Sequence, residues 1–187
     1  MPAVLDKPQT KAPFTGSYTS DPIHSHFGFA VRYQGTTLYR GSFDGATATL
    51  SDENGELALE GSARADAISI TNPPQFREHV LGADFFDAEQ HPEILFSSDD
   101  ILLSGDGTAT VEGYLTIKGI ARTVTARGTY IAPQEDAMGH ARGALELETT
   151  IDRRDFDFNW NMPLPKGGDA LSNEVELSIS LQLVEDQ

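Results

Sequence analysis

The stretch "NEVELSISLQLVED" near the carboxyl terminus alternates without interruption. Val175, Leu177, Ile179, Leu181 and Leu183 fall on one side, and Glu174, Glu176, Ser178, Ser180 and Gln182 on the other. Successive side chains leave a strand on opposite faces, so a two-residue period demands a strand with one dry and one wet side. The same period recurs in "HFGFAVRY", which sets Phe27, Phe29, Val31 and Tyr33 against His26, Gly28, Ala30 and Arg32. It returns in "TATVEGYLTIKG" with Val111, Leu115 and Ile117, and in "GALELETTI" with Leu145, Leu147 and Ile151. The chain is expected to be all-β.

Turn chemistry separates these runs. "ENGE" at 53 to 56, "GDGT" at 105 to 108 and Gly119 within "LTIKGIARTV" each supply residues that accept the backbone of a tight hairpin. The runs 38 to 50 and 120 to 132 exceed the usual strand length, which suits a tall, curved sheet. Only "PPQFREHVLGADFF" looks helical, with two prolines favouring a start and Gly82 where a C-terminal cap would lie. This gives about eight or nine strands and one short helix, arranged as a sandwich or a barrel. Glycines inside strand patterns (Gly28, Gly41, Gly45, Gly113, Gly128) favour the barrel, because they suit sharp bends and leave room inside. An eight-stranded barrel is wide enough to be filled by side chains or to hold one small ligand.

With 187 residues, one domain is expected. Residues 1 to 13 hold three of the ten prolines and no periodicity, so they read as a loose arm ahead of a domain spanning 14 to 187. Thirteen Lys and Arg against 29 Asp and Glu leave a net charge of −16, which repels nucleic acid and anionic lipid and keeps the protein soluble. No apolar run is long enough for a spanning helix, so stable membrane insertion is not expected. The absence of cysteine removes disulfides, thiolate catalysis and Cys-ligated zinc. The amino terminus has neither a basic start nor an apolar core of a secretory leader, so a cytoplasmic location is expected, or a periplasmic one if the chain is a trimmed mature form.

Polar motifs carry less. On an extended strand His24 and His26 would share a face about 6.7 Å apart, but a metal needs a third ligand. Asp21 has the other parity, and His79, His91 and His140 follow no ligand spacing, so no metal site is expected. Ser25 beside His24 invites a nucleophile reading, yet strand neighbours point oppositely, and no nucleophile elbow or phosphate-cradling loop appears. The simpler role for His24 and Ser25 is to tie down the strand entrance by hydrogen bonds.

The blocks "DPIHSHFGFAVRY", "YRGSFDG", "EHVLGADFFDAEQHPEILFSS", "VEGYLTIKGIARTVT" and "TTIDRRDFDFNW" resemble, in order and spacing, the YceI-like family, over residues 16 to 184. That resemblance implies an extended, eight-stranded antiparallel lipocalin-like barrel with one short helix near the opening. It also implies an interior tunnel that holds a polyisoprenoid, such as a quinone tail or a polyprenyl diphosphate, with the helix region as a lid. The chain departs from the family pattern in two places. Phe76 and Arg77 precede His79 where an Arg-Asp pair is frequent, and Asp157 follows Phe156 where the family often has glycine. The extra carboxylate, at what the resemblance implies is the barrel's end, favours an uncharged head group over a pyrophosphate.

The expected ligand-lining residues are Phe27, Phe29, Val31, Tyr33, Phe43, Phe86, Phe96, Leu115, Ile117, Phe156, Phe158 and Trp160. Any one of them reads more simply as core packing; as a group they suit a bore. Of the consecutive Phe85 and Phe86, one is expected to cap the core and the other to face the ligand. Transfer from water at about 0.8 kcal/mol per CH₂ makes each isoprene unit worth about 3–4 kcal/mol before entropic costs. The expected function is a non-catalytic carrier or sequestering protein for a long isoprenoid, with a bound polyisoprenoid and no other cofactor. Its rivals are an enzyme acting on a small amphiphile through His24, Ser25 and His79, and a ligand-free, stress-related barrel. A closed barrel leaves no exposed edges, so any homodimer is expected to use loops or the amino-terminal arm.

Overall fold

The computed structural model describes residues 12–187. Most of the expected loose arm therefore lies outside the described residues. Ten strands follow in chain order: β1 (Ser17–Ser20), β2 (His26–Tyr33), β3 (Thr37–Ser42), β4 (Thr47–Glu53), β5 (Glu56–Arg64), β6 (Glu93–Leu103), β7 (Thr108–Ile117), β8 (Ile120–Glu135), β9 (Ala141–Asp152) and β10 (Leu171–Glu185). One helix, α1 (Pro74–Leu81), lies between β5 and β6. Eight strands close a ring in the order β1-β4-β5-β6-β7-β8-β9-β10, with β1 returning to β10. Every pairing is antiparallel.

Local sequence explains the hairpins. Asn54 and Gly55 between β4 and β5 both have positive φ (60° and 90°), as do Lys118 and Gly119 between β7 and β8 (54° and 72°). Two consecutive left-handed residues give a turn whose twist matches the strands it joins. The expected long strand at 38 to 50 is instead broken at Phe43–Ala46, where Gly45 has φ 65° and the chain turns from β3 into β4. The expected long strand near 120 to 132 does form, as the sixteen residues of β8.

β10 is long enough to carry two partners along one side. Its end pairs with β1 (Ser20 opposite Leu183) and its earlier part with β2 (Ser180 opposite His26). Between them residues 21–25 leave the sheet in a turn, with Ser25 N–H donating to the Asp21 carbonyl (3.0 Å). His24 therefore does not share a strand face with His26. The hairpin β2–β3 extends the wall on one side only, and β3 pairs with no strand but β2. The eight-stranded ring is closed as expected, and the unpaired edge among the described residues belongs to the β2–β3 hairpin added beside it.

Two ends can be distinguished. At the lower end Phe14, Tyr18, Leu50, Val111, Leu145, Leu181 and Leu183 are buried in one cluster. At the upper end Leu115, Ile117, Phe156 and Phe158 form a second cluster, and Ile68, Ile70 and Val80 a third under α1.

Candidate functional site

The interior is built from the inward parity of every ring strand. Row by row, Leu183 faces Gly143, Leu181 faces Leu145, Ile179 lies between Leu147 and Phe27, Leu177 between Thr149 and Phe29, and Val175 between Ile151 and Val31. The lower rows are solid. Phe14 is fully buried, edge-on to Tyr18 (centroids 5.3 Å) and 6.5 Å from Tyr130. From Ile179 upward, the inward Phe27, Phe29, Val31, Thr149, Ile151, Val175 and Leu177 are half-buried, so the upper interior is less tightly sealed than the base.

The strand glycines do not leave a slot. A Cβ on Gly41 would lie 2.6 Å from Phe29 Cε1, one on Gly113 2.8 Å from Phe96 Cζ, and one on Gly143 2.5 Å from Phe14 Cε1. Each of these three glycines lies under an aromatic ring, and large-on-small pairing fills the room. Of the other expected glycines, Gly28 faces His26 and Ser178, Gly128 faces the Glu146 main chain, and Gly45 lies in a turn. Two hollows, of about 460 and 380 Å³, open on the outer wall. They are lined mainly by outward side chains: Thr47, Glu60, Ser62 and Tyr114 in one, His26, Arg127, Glu146 and Ser178 in the other.

The mouth is an aromatic assembly. Phe86 contacts Phe43 (5.8 Å) and Phe158 (5.0 Å), and Phe85 contacts Phe158 (6.1 Å) and Trp160 (5.6 Å). Both rings of the Phe85–Phe86 pair enter it, because residues 82–86 form irregular turns rather than a regular element with opposed faces. His79 of α1 lies edge-on to Phe85 and Trp160, at 5.1 and 4.8 Å, and its Nε2 is 3.1 Å from Asp84 Oδ2. Of the twelve expected lining residues, Phe27 and Phe96 pack against the lower cluster, and Phe96 also against the upper one. Leu115, Ile117, Phe156, Phe158 and Phe86 gather at the upper cluster, and Phe29 and Phe43 at the third. Val31 faces inward beside Val175, Trp160 sits on the rim, and Tyr33 is 44% exposed at the base of the β2–β3 turn.

Cations hold the mouth in shape. Arg153 is 4% exposed and donates to the carbonyls of Phe158 (2.5 Å), Trp160 (2.8 Å), Ser172 (2.9 Å) and Leu171 (3.4 Å). Burial, the largest influence on it, lowers its pKa. Arg77 donates to the carbonyls of Asp66, Ile68 and Ile70, and Lys118 to those of Ala83 and Asp157. These three clamp loops and leave little for an anionic head group. Arg122, opposite Leu115, is exposed on the rim, where it donates to its neighbour Ala121's carbonyl. Asp157, at the position where the family often has glycine, has φ 61° and ψ 32°, a left-handed conformation that Asp tolerates better than most residues. Its carboxylate is 3.6 Å from Lys118. Asp152 is held at about 2 by its hydrogen bonds with Arg154.

A polar cluster sits at the opposite end. Arg142 bridges Asp136 (2.5 Å) and Asp21 (2.9 Å), and His24 Nδ1 is 3.0 Å from Asp21. Asp21 is held well below the carboxylate range by His24 first, then by the Ile23 N–H and Arg142; Asp136 likewise by Arg142 first, then by the His140 N–H. Ser25 Oγ accepts from the Gln182 N–H (3.1 Å), so His24 and Ser25 do fasten the entrance to β2. They cannot join His79, which sits beside Trp160 and the Leu171 end of β10. Eleven strand residues at about 3.3 Å each place Gln182 roughly 35 Å from there. Among the described residues no three His, Asp or Glu side chains are placed to hold a metal, and no helix is long and apolar enough to cross a membrane.

Several residues central to this architecture escaped the sequence reading. Phe14 follows a proline-rich run without periodicity, and its seat over Gly143 arises from a long-range contact that the sequence does not display. Arg153 lies in "DRRDF", where nothing distinguishes a buried guanidinium from its exposed neighbour Arg154.

The closed antiparallel ring of eight strands, a mainly apolar interior and one short helix at the upper end together define a small antiparallel β-barrel. The family model of the YceI-like domain matches residues 18–183. The chain belongs to that family. It is 27% identical over 166 residues to Protein YceI of Escherichia coli, covering 88% of this chain and 83% of that one. Among solved structures, Burkholderia cenocepacia BcnA superposes with a TM-score of 0.71 at 23% identity, over 89% of this chain and 99% of the other. A polyisoprenoid binding domain from Saccharophagus degradans, implicated in plant cell wall breakdown, superposes at 0.62 with 12% identity, over 90% and 98%.

Proposed function

We infer that the barrel binds a single long apolar chain of the polyisoprenoid class, tail down in the upper interior, with an uncharged head such as a quinone ring at the aromatic rim. The observation that carries this reading is the character of the inward face. Ser20, Ser98 and Thr149 are its small polar members and each is hydrogen-bonded to backbone, while Arg122 shares the inward parity only at the rim. The carboxylates of the ring strands point outward or lie at strand ends. Each isoprene unit transferred there is worth about 3–4 kcal/mol before ordering costs. An uncharged head is supported by Arg77, Arg153 and Lys118 being committed to carbonyls, and by Asp84, Asp155 and Asp157 nearby. Binding rather than turnover is supported by the separation of His24 and Ser25 from His79. The similarity in fold to the polyisoprenoid binding domain from Saccharophagus degradans supports the ligand class by analogy.

The test is a tryptophan-fluorescence titration that uses Trp160 as the native reporter, with a quinone and a polyprenyl diphosphate of equal tail length. The quinone is expected to bind tighter, and Phe29→Trp to weaken uptake of both by filling the bore while the fold persists. Equal uptake by the variant, or clear preference for the diphosphate, contradicts the respective half of the reading.

A further inference from the structure

The edge of β3 is covered only at its Ser42 end. Ser42 N–H donates to Ser69 Oγ (2.9 Å), and the Ser42 carbonyl accepts from Ser69 N–H (2.8 Å), so the main-chain groups of Ser42 point away from β2. Phe43 N–H turns the other way, to the Phe27 carbonyl (3.0 Å). The two-residue period then aims the N–H and C=O of Arg40 and Leu38 outward as well. Among the described residues they meet no main-chain partner, because the covering segment leaves the edge after Ser69. Edges of this kind are normally blunted by proline, a bulge or a covering element. Residues 37–41 contain no proline, pair with β2 without a bulge, and are flanked by half-exposed rings: Tyr39 (37%) lies edge-on to Phe76 (40%), centroids 6.1 Å apart.

We propose that this edge pairs with the same edge of a second copy of the chain, joining two barrels into one continuous sheet. The register closes on itself. A two-fold axis at Tyr39 sets Leu38 of each copy opposite Arg40 of the other, and these pairs exchange four main-chain hydrogen bonds. Tyr39 then faces its own symmetry mate across a non-hydrogen-bonded position, with Phe76 of each copy alongside. Arg40 rests beside leucine rather than beside the other arginine. Charge favours this edge over most of the surface. Each copy carries −16, and residues 22–43 contain no carboxylate while supplying Arg32 and Arg40. The two paired strands themselves therefore set no acid against acid.

Sedimentation velocity over a concentration series tests the proposal. The wild type is expected to dimerise, more tightly as salt screens the two net charges; a monomer at every concentration overturns it. Leu38→Pro deletes an N–H that points to the edge and leaves the bonds to β2, so it should fold with an unchanged circular dichroism spectrum. Loss of two symmetry-related bonds should weaken the dimer by about thirtyfold. An unweakened dimer places the interface elsewhere and overturns the register. The chain has no cysteine, so Tyr39→Cys gives an independent reading. Oxidation should link the two copies through that residue alone, and a dimer that fails to cross-link refutes the two-fold at Tyr39.

Discussion

Substitution of Gly41 by alanine separates a glycine that leaves space from one that supports a ring. The three nearest atoms to a Cβ built there all belong to the Phe29 ring, with Cε1 at 2.6 Å and Cε2 at 3.1 Å. Ordinary contact begins near 3.4 Å, so the ring must move by about 1 Å or leave its rotamer, at about 1–3 kcal/mol. Without the ring, the same substitution in an extended strand would be neutral or stabilising by about 0.4–1 kcal/mol, because it restricts the unfolded chain. The sign therefore reports the ring. Phe29→Leu alone, at a half-buried site, should cost about 1–2 kcal/mol. In the double variant the methyl no longer strikes a ring, so the loss should fall short of the sum by about 1–2 kcal/mol. Urea unfolding midpoints at constant slope measure all four proteins. Additivity within about 0.5 kcal/mol, or a stabilised Gly41→Ala, refutes the account of these glycines.

Phe14→Ala should cost about 3–5 kcal/mol by calorimetry, since Phe14 is fully buried and its ring plugs the base of the barrel over Gly143; a loss below about 1 kcal/mol would mean the base is not packed as described. Arg153→Met should destabilise by about 2–4 kcal/mol by stranding several loop carbonyls. Arg153→Lys should recover less than half, because an ammonium cannot span a guanidinium's donors, and the emission of Trp160 should redden in both. Asp21 and Asp136 have folded pKa values below their unfolded ones, so their contribution is present above about pH 4 and is lost as pH falls from there toward the folded values. In Asp21→Asn and Asp136→Asn the acid limb of a stability–pH curve should flatten, and an acid limb identical to the wild type would show that the Arg142 bridge does not contribute.

How legible the fold was depended on the range of the interaction. The alternation in β10 and the Asn54–Gly55 and Lys118–Gly119 turns are local, and each formed where the residues indicate. The interruption between β1 and β2 was not legible. "DPIHSH" has strand parity on paper, but β10 takes two partners in succession, and residues 21–25 leave the sheet between them. Phe27, Phe29 and Phe96 were legible as one strand face each, while Tyr33 is exposed and Trp160 sits on the rim; the filling of glycine positions by rings depends on cross-strand register. For Phe29 and Gly41 that register follows from the Gln34–Gly35 turn, where φ is 52° and 66°. For Phe96 and Gly113 it is obscured by the irregularity between Ser98 and Asp100. The open edge of β3 is topological and has no signature in the composition.

Native mass spectrometry of the gently purified protein, followed by organic extraction, bears most directly on the claim that the barrel shelters hydrocarbon. A stoichiometric adduct that yields a polyisoprenoid, and that disappears in Phe29→Trp, is the predicted result. A chain that stays free of adduct after incubation with a long-tailed quinone, at unchanged stability, would contradict it and leave a barrel filled only by its own side chains.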